Sequence, residues 1–455
     1  MQSLLSSVLC AILLSSSTVF SAPAPSSSVS ASALVTTSSV ADSSTGVGTA
    51  TSSAPSPTFT VPLASDDPNG IEWNVTTTED VQPIRGSLGA TILGPQNIPI
   101  DQQNPDLLAP PTTDAGSIPN IKWPFSLSHN RLQTGGWARQ ENVQQLPIAT
   151  SMAGVDMRLE PGAIRELHWH QTAEWAYVIS GTTQITSVDQ LGRNFVANVG
   201  PGDLWYFPPG IPHSLQSTAE GNGTEFLLIF PDGNFNEDDT FLLTDWMSHL
   251  PKEVIAKNFQ TPISAWDDIP GQQLYIFPAQ PPTTDTPPSD PQGQVPEPFA
   301  FNFSQVTPTQ YSGGTAKIAD STTFKISTQV AVAEITVEPG AMREIHWHPT
   351  QDEWGFYLEG FGRMTVFASS GNAQTYDFEP GDISFVPATF GHYIENIGNT
   401  TLRFLEIFNT DVFQDVSLAQ WLALTPPALV EAHLNLAPDV IASFNKTKGV
   451  VVGPH

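Results

Sequence analysis

The residues of this chain that could do chemistry come in two matched sets. Glu-Pro-Gly-Ala-x-Arg-Glu-x-His-Trp-His occupies residues 160–170 and recurs at 338–348. The first set continues from Gly162, His168 and His170 through Glu174 and Gly181 to Gly202, Pro208, Gly210 and His213. The second runs from Gly340, His346 and His348 through Glu353 and Gly360 to Gly381, Pro387, Gly391 and His392. Six of the chain's 10 histidines fall in these sets, while His129, His249, His433 and His455 stand alone. Three imidazoles and a carboxylate are the donors of a transition-metal site, and the types admit Zn, Cu, Fe, Ni or Mn. On an octahedral ion such a set leaves two positions open, enough for a substrate oxygen and a second small ligand.

A β-strand is the element that can aim such residues. Side chains at i and i+2 share a face, so His168 and His170 point together and Trp169 points away; His346, Trp347 and His348 repeat this. The outward tryptophans fit barrel packing or a subunit interface. Strand parity places Arg165 and Arg343 opposite the ligands, so either arginine needs a bulge to turn inward. Three residues separate His170 from Glu174 but four separate His348 from Glu353, which predicts an irregularity near Pro349. Short alternating runs such as 174–180 and 203–207, bounded by Gly and Pro, predict an all-β sandwich or barrel.

The repeat gives the domain plan. His168 and His346 lie 178 residues apart, as do the runs Phe-Leu-Leu-Ile-Phe at 226–230 and Phe-Leu-Glu-Ile-Phe at 404–408. Segments with helical spacing follow each run, beginning near Trp246 and Trp421. The 455 residues suffice for two sizeable cores. We assign 1–21 to a signal peptide, 22–78 to a Ser/Thr-rich disordered linker and 79–270 to a first domain carrying a lid. Residues 271–300 form a Pro-rich linker, and 301–455 form a second domain with a C-terminal helical segment.

The leader holds Cys10, the chain's 1 cysteine, so the mature protein would have neither disulfides nor thiolate ligands. Five Asn-x-Ser/Thr sequons, at Asn74, Asn222, Asn302, Asn399 and Asn445, agree with a secreted, extracellular or cell-wall glycoprotein. A formal charge of −29 excludes the usual nucleic-acid binder, and no membrane span is expected beyond the leader.

At these motifs the sequence resembles the cupin superfamily, whose two signatures are G-x5-H-x-H-x3,4-E-x6-G and G-x5-P-x-G-x2-H. The first unit fits both, while the second places three residues between Pro387 and Gly391. From about Gln82 to Leu436 it resembles more narrowly the two-domain oxalate decarboxylases. Arg85-Gly86, Gln103-Asn-Pro-Asp106, Gly202-Asp-Leu-Trp-Tyr-Phe207 and Gly391-His-Tyr-Ile-Glu-Asn396 carry that likeness. The resemblance implies two double-stranded β-helix (jelly-roll) domains with short flanking helices. It also implies manganese in both, two per chain, dioxygen as co-catalyst, and oxalate cleaved to formate and carbon dioxide. The metal ligands would be His168, His170, Glu174 and His213, and His346, His348, Glu353 and His392.

The resemblance further implies Arg165 and Arg343 as substrate-binding groups and Glu237 as an acid–base group on a lid. That lid reads Asn-Glu-Asp-Asp-Thr at 236–240, which departs from the Ser-Glu-Asn-Ser-Thr of the bacterial type. Glu406, where the first unit has Leu228, is a candidate proton donor of the second site. The first domain is therefore expected to be the main catalytic one, in a chain with room for a homo-oligomer. An oxalate oxidase giving carbon dioxide and peroxide, and a metal-binding storage bicupin, are the rival readings.

Overall fold

The computed structural model describes residues 63–65 and 80–455. The expected leader and nearly all of the Ser/Thr-rich segment lie outside these residues. The described residues from Ala64 onward form one compact unit. It contains two barrels of the same design, each made of a six-stranded and a seven-stranded sheet.

In the first barrel the seven-stranded sheet is ordered Ala300–Phe301, Leu204–Phe207, Glu174–Ser180, Thr224–Phe230, Ala153–Leu159, Gly136–Glu141 and Asn130–Gln133. Its partner sheet centres on Ile164–Trp169, which pairs with His213–Ser217 on one side and with Phe241–Leu242 and Ile276–Phe277 on the other. The second barrel repeats this with Met342–Trp347 between Gly391–Asn396 and the short strands Val416–Ser417 and Val451–Val452. Val, Ile, Phe, Trp and Tyr fill the strands, and the central strands of the seven-stranded sheets are buried on both faces.

Two strands cross between the barrels. Lys122–Pro124 precedes the first barrel in sequence yet pairs with Asp382–Val386 of the second. Ala300–Phe301 pairs with Leu204 and Trp205 of the first. The stretch 271–300, read as a linker, also supplies Ile276–Phe277 to the first ligand sheet.

Each barrel has its own apolar interior, and a third apolar cluster joins them. Trp175, Tyr206 and Ile229 of the first unit meet Trp354, Phe385 and Ile407 of the second in that shared cluster. The seam is tight at Gly154, where a Cβ would lie 2.4 Å from the Trp354 ring. Trp354 Nε1 donates to Glu141 Oε2 across the seam at 2.8 Å. Burial pushes the Glu141 carboxyl up to about 8, against the opposing effect of that hydrogen bond.

Candidate metal centres

The strand Ile164–Trp169 carries the expected bulge. His213 faces His168 and Leu215 faces Arg165, so the ligand strand has one residue more than its neighbour between these pairs. The second strand repeats it, with His392 facing His346 and Ile394 facing Arg343. An extra residue inverts the parity beyond it, which brings the arginine and the histidines to one face. Arg165, His168, Arg343 and His346 are accordingly all buried, while Leu167 and Ile345 take the outward side.

The irregularity expected near Pro349 exists, and it is common to both copies. His170 and His348 each lie just past the end of their strand, and Glu174 and Glu353 each begin the next one. A turn therefore intervenes in both, strand parity governs neither carboxylate, and the extra residue is absorbed without moving Glu353.

Each set converges. The donor atoms of His168, His170, Glu174 and His213 lie within 4.8 Å of one another, as do those of His346, His348, Glu353 and His392. Glu174 Oε2 is 3.2 Å from Nε2 of both His170 and His213. Glu353 Oε2 is 2.9 Å from His348 Nε2 and 3.1 Å from His392 Nε2.

All six imidazoles are oriented through Nδ1 by a backbone carbonyl. In the first centre these are Glu166, Thr172 and Ile211; in the second, Glu344, Gln414 and Phe390. A proton held on Nδ1 leaves the Nε2 lone pair for a metal. Burial and the adjacent arginine hold His168 and His346 well below the usual histidine range, so both are neutral donors. Burial opposes ionisation of Glu174, but His213 and His170 outweigh it and hold the carboxyl low. The buried Nε2 of His346 has no hydrogen-bond partner. Three imidazoles turned by their Nδ1 contacts and one carboxylate, gathered out of water, are the donor set of a divalent transition metal.

Around these matched cores the surroundings diverge. In the first centre Trp205 Nε1 donates to Glu174 Oε1 at 2.8 Å and fixes the carboxylate. The corresponding position in the second is Ser384, and the buried Glu353 Oε1 has no partner. Glu237, in the turn Glu237–Asp239, accepts from Arg165 Nε at 3.0 Å and from Arg165 Nη2 at 2.7 Å, all on Oε1. Tyr275 donates to the same oxygen at 3.1 Å, and Arg165 Nη2 also reaches Thr240 Oγ1 at 3.0 Å. In the second, Arg343 binds Glu406 at 2.9 Å and Asp415 at 2.8 Å, and Asp415 is bound in turn by Lys448. The connection from the Phe404–Phe408 run to the next strand, 409–415, is three residues shorter than its counterpart 231–240. One guanidinium nitrogen of each arginine, Nη1, is buried without a partner.

The structure thus brings every sequence-derived candidate to one of two places: Arg165 and Glu237 to the first centre, Arg343 and Glu406 to the second. Tyr275 and Lys448 escaped the sequence reading. Tyr275 sits in the Pro-rich stretch, and Lys448 in the C-terminal tail, far in sequence from any motif. Glu166 was visible as part of the repeated Arg-Glu pair. It accepts from the backbone of Thr244, Leu274 and Tyr275, so it ties the segment after the lid and the stretch that carries Tyr275 to the bulge. Trp169 and Trp347 do point away from the metal side, and each packs on a tryptophan of its own flanking helix, Trp246 or Trp421.

Similarity to known proteins agrees with this geometry. The Cupin family profile matches residues 127–263 and 301–442. Oxalate decarboxylase OxdC of Bacillus subtilis (strain 168) is 53% identical over 373 residues, covering 82% of this chain and 96% of that protein. A probable oxalate decarboxylase of Arthroderma benhamiae is 41% identical over 377 residues, covering 82% and 93%. A solved structure of the B. subtilis enzyme, concerned with its Mn(II) centres, superposes with a TM-score of 0.81 at 52% identity, covering 83% of this chain and 100% of that one. Two barrels, two His3Glu sets and this likeness over most of the chain place the protein in the oxalate decarboxylase family of two-domain cupins.

Proposed function

We propose that the chain is a secreted, manganese-dependent oxalate decarboxylase whose first centre carries turnover. The reaction is C2O4(2−) + H+ → HCO2− + CO2, so one proton must be placed on carbon. The carrying observation is Glu237 held on Arg165 beside the His168 centre, on a turn rather than on a strand.

Manganese in each His3Glu set, with dioxygen as co-catalyst, would supply charge for a dianion and the one-electron chemistry that weakens its C–C bond. The protein does the rest. Arg165, immobile in the bulge, offers the buried Nη1 to a substrate carboxylate and neutralises it. Glu237 lies on the same guanidinium, so one short movement transfers its oxygen from Arg165 and Tyr275 to the substrate. It takes up the proton that the reaction consumes and delivers it to the carbon once carbon dioxide has left. Phe230 and Phe235 pack beside His170, with ring centroids 5.2 and 5.7 Å away, and keep that side dry. The partnered Arg343, held by two carboxylates, fits a structural or auxiliary second centre.

Secretion rests on the leader-like segment and the sequons. Asn222, Asn302, Asn399 and Asn445 are all exposed, and no helix among the described residues is long and apolar enough to cross a membrane.

The test is an oxalate assay that reads formate and peroxide together, on metal-analysed wild type and Glu237→Ala. Formate from the wild type and little from the variant is expected. Peroxide without formate from the wild type identifies the oxidase instead, a reading favoured by the unusual Asp238 and Asp239 of the lid. Metal-loaded protein that makes neither product returns the storage reading.

A further inference from the structure

We propose that Arg131 and Asp238 form an ionic pin that holds the lid closed over the first centre, and that this pin sets how often Glu237 delivers its proton to carbon. The inference rests on the decarboxylase reading.

Three contacts carry it. Arg131, on the strand Asn130–Gln133, binds Asp238 Oδ1 at 2.6 Å, joining the sheet to the residue next to Glu237. Its guanidinium carbon lies 3.5 Å from the centre of the Tyr275 ring, whose hydroxyl donates to Glu237 Oε1. The Arg165 guanidinium lies 4.4 Å from that same ring. Arg131 therefore touches two supports of the lid acid, its neighbour in sequence and one of its hydrogen-bond donors. A cavity of about 130 Å3 opens beside the pin, with Arg131, Gln140, Asp238, Tyr275 and Glu237 among its walls.

The inner face of the lid is held differently. Gln140 accepts from the Glu237 backbone and donates to Asn236, and Asn236 caps the turn through the Asp238 amide. These are neutral bonds within reach of any lid of this shape. The pin adds charge on the solvent side, where Arg131 and Asp238 are 25% and 59% exposed.

The second barrel serves as an internal control. The sheet register equates Arg131 with Thr309, and the pairing to the ligand strand equates Tyr275 with Val450. Neither Arg131 nor the tyrosine it stacks on has a like residue there, and the arginine of that centre is instead clamped by Glu406 and Asp415. The pin accompanies the lid glutamate and is absent without it.

A half-exposed ion pair shifts a two-state equilibrium by on the order of two- to fivefold. With the lid closed, the carbon formed on loss of carbon dioxide meets Glu237. With it open, that intermediate is exposed to oxidation, C2O4(2−) + O2 + 2 H+ → 2 CO2 + H2O2, and peroxide rises. The readout is the formate-to-peroxide ratio, which a simple loss of folded enzyme leaves unchanged.

The experiment compares wild type, Asp238→Asn and Asp238→Glu at matched metal content. Asp238→Asn should lower the ratio by about two- to fivefold, and Asp238→Glu should restore it. Salt raised from about 0.05 to about 0.5 M should lower the wild-type ratio toward that of Asp238→Asn, because exposed charges are screened. A formate-producing wild type whose ratio matches Asp238→Asn, a variant that loses both products equally, or a salt-independent wild-type ratio overturns the pin. A wild type that makes no formate overturns the decarboxylase reading instead.

Discussion

Arg165 and Arg343 occupy equivalent bulges, face equivalent histidines and are equally buried, yet their partners differ in kind. Arg165 is held by an acid on a turn, a tyrosine and a threonine. Arg343 lies between Glu406, in the middle of the strand Leu402–Phe408, and Asp415, which Lys448 also binds. Burial alone would favour the neutral arginine, but Glu406 and Asp415 more than offset it and push Arg343 up. A carboxylate on a strand, or one between two cations, is a poor proton shuttle. It must break charge-assisted bonds that have no replacement in a dry interior. Both barrels keep the metal-binding set, and only the first places a glutamate of a turn on its arginine.

The widest separation of the two centres is expected from their acids. Glu237→Gln should lower formate production by about 10^2–10^4-fold, the usual contribution of a positioned acid–base group, while Glu406→Gln changes it by a few-fold at most. Comparable losses from both variants would erase the distinction between the barrels.

The seam joining the barrels gives the next effect. Glu141 has its carboxyl raised from 4.5 to about 8 by burial, so the folded protein keeps a proton that the unfolded chain releases. Stability is then fully retained below about pH 4.5 and falls as the pH rises toward 8, by about 3–5 kcal/mol at the upper end. Glu141→Gln, which keeps an acceptor for Trp354, should flatten this dependence in denaturant titrations across that range. An unchanged slope would assign the pH response to other groups.

A smaller contrast concerns metal retention. Trp205→Phe frees Glu174 Oε1 and should weaken the first centre by about 10–100-fold in competition with a chelator, leaving the second unaffected. Equal release from both centres would show that the tryptophan does not tune the ligand. Smallest of all, Lys448→Met removes one of the two cations on Asp415 and should cost on the order of 1 kcal/mol of stability with little change in formate. A gain in second-centre turnover would instead mark Lys448 as the lock on that site.

Spacing made the ligands legible, because a metal constrains residue type and separation together. The bulge was legible from a contradiction: a buried arginine three residues before a ligand cannot face the metal in a regular strand. Tyr275 was not, since its role depends on a strand of two residues returning to the ligand sheet from a proline-rich stretch. Nor was Asp415 seen as the partner of Arg343, because the shorter connection shifts its register against Glu237. The crossed strands left no periodic signal, being two or three residues long.

Those crossed strands govern how the protein can be made. The first barrel cannot finish its sheet until Ala300–Phe301 has left the ribosome, and Lys122–Pro124 must wait longer still for Asp382–Val386. Early in synthesis the first barrel therefore carries an open sheet edge, while Lys122–Pro124, made before it, still lacks its partner strand. Neither half is a module that could be cut free at the proline-rich connection and remain whole. Completion of both seven-stranded sheets therefore waits until the chain has been made at least as far as Val386.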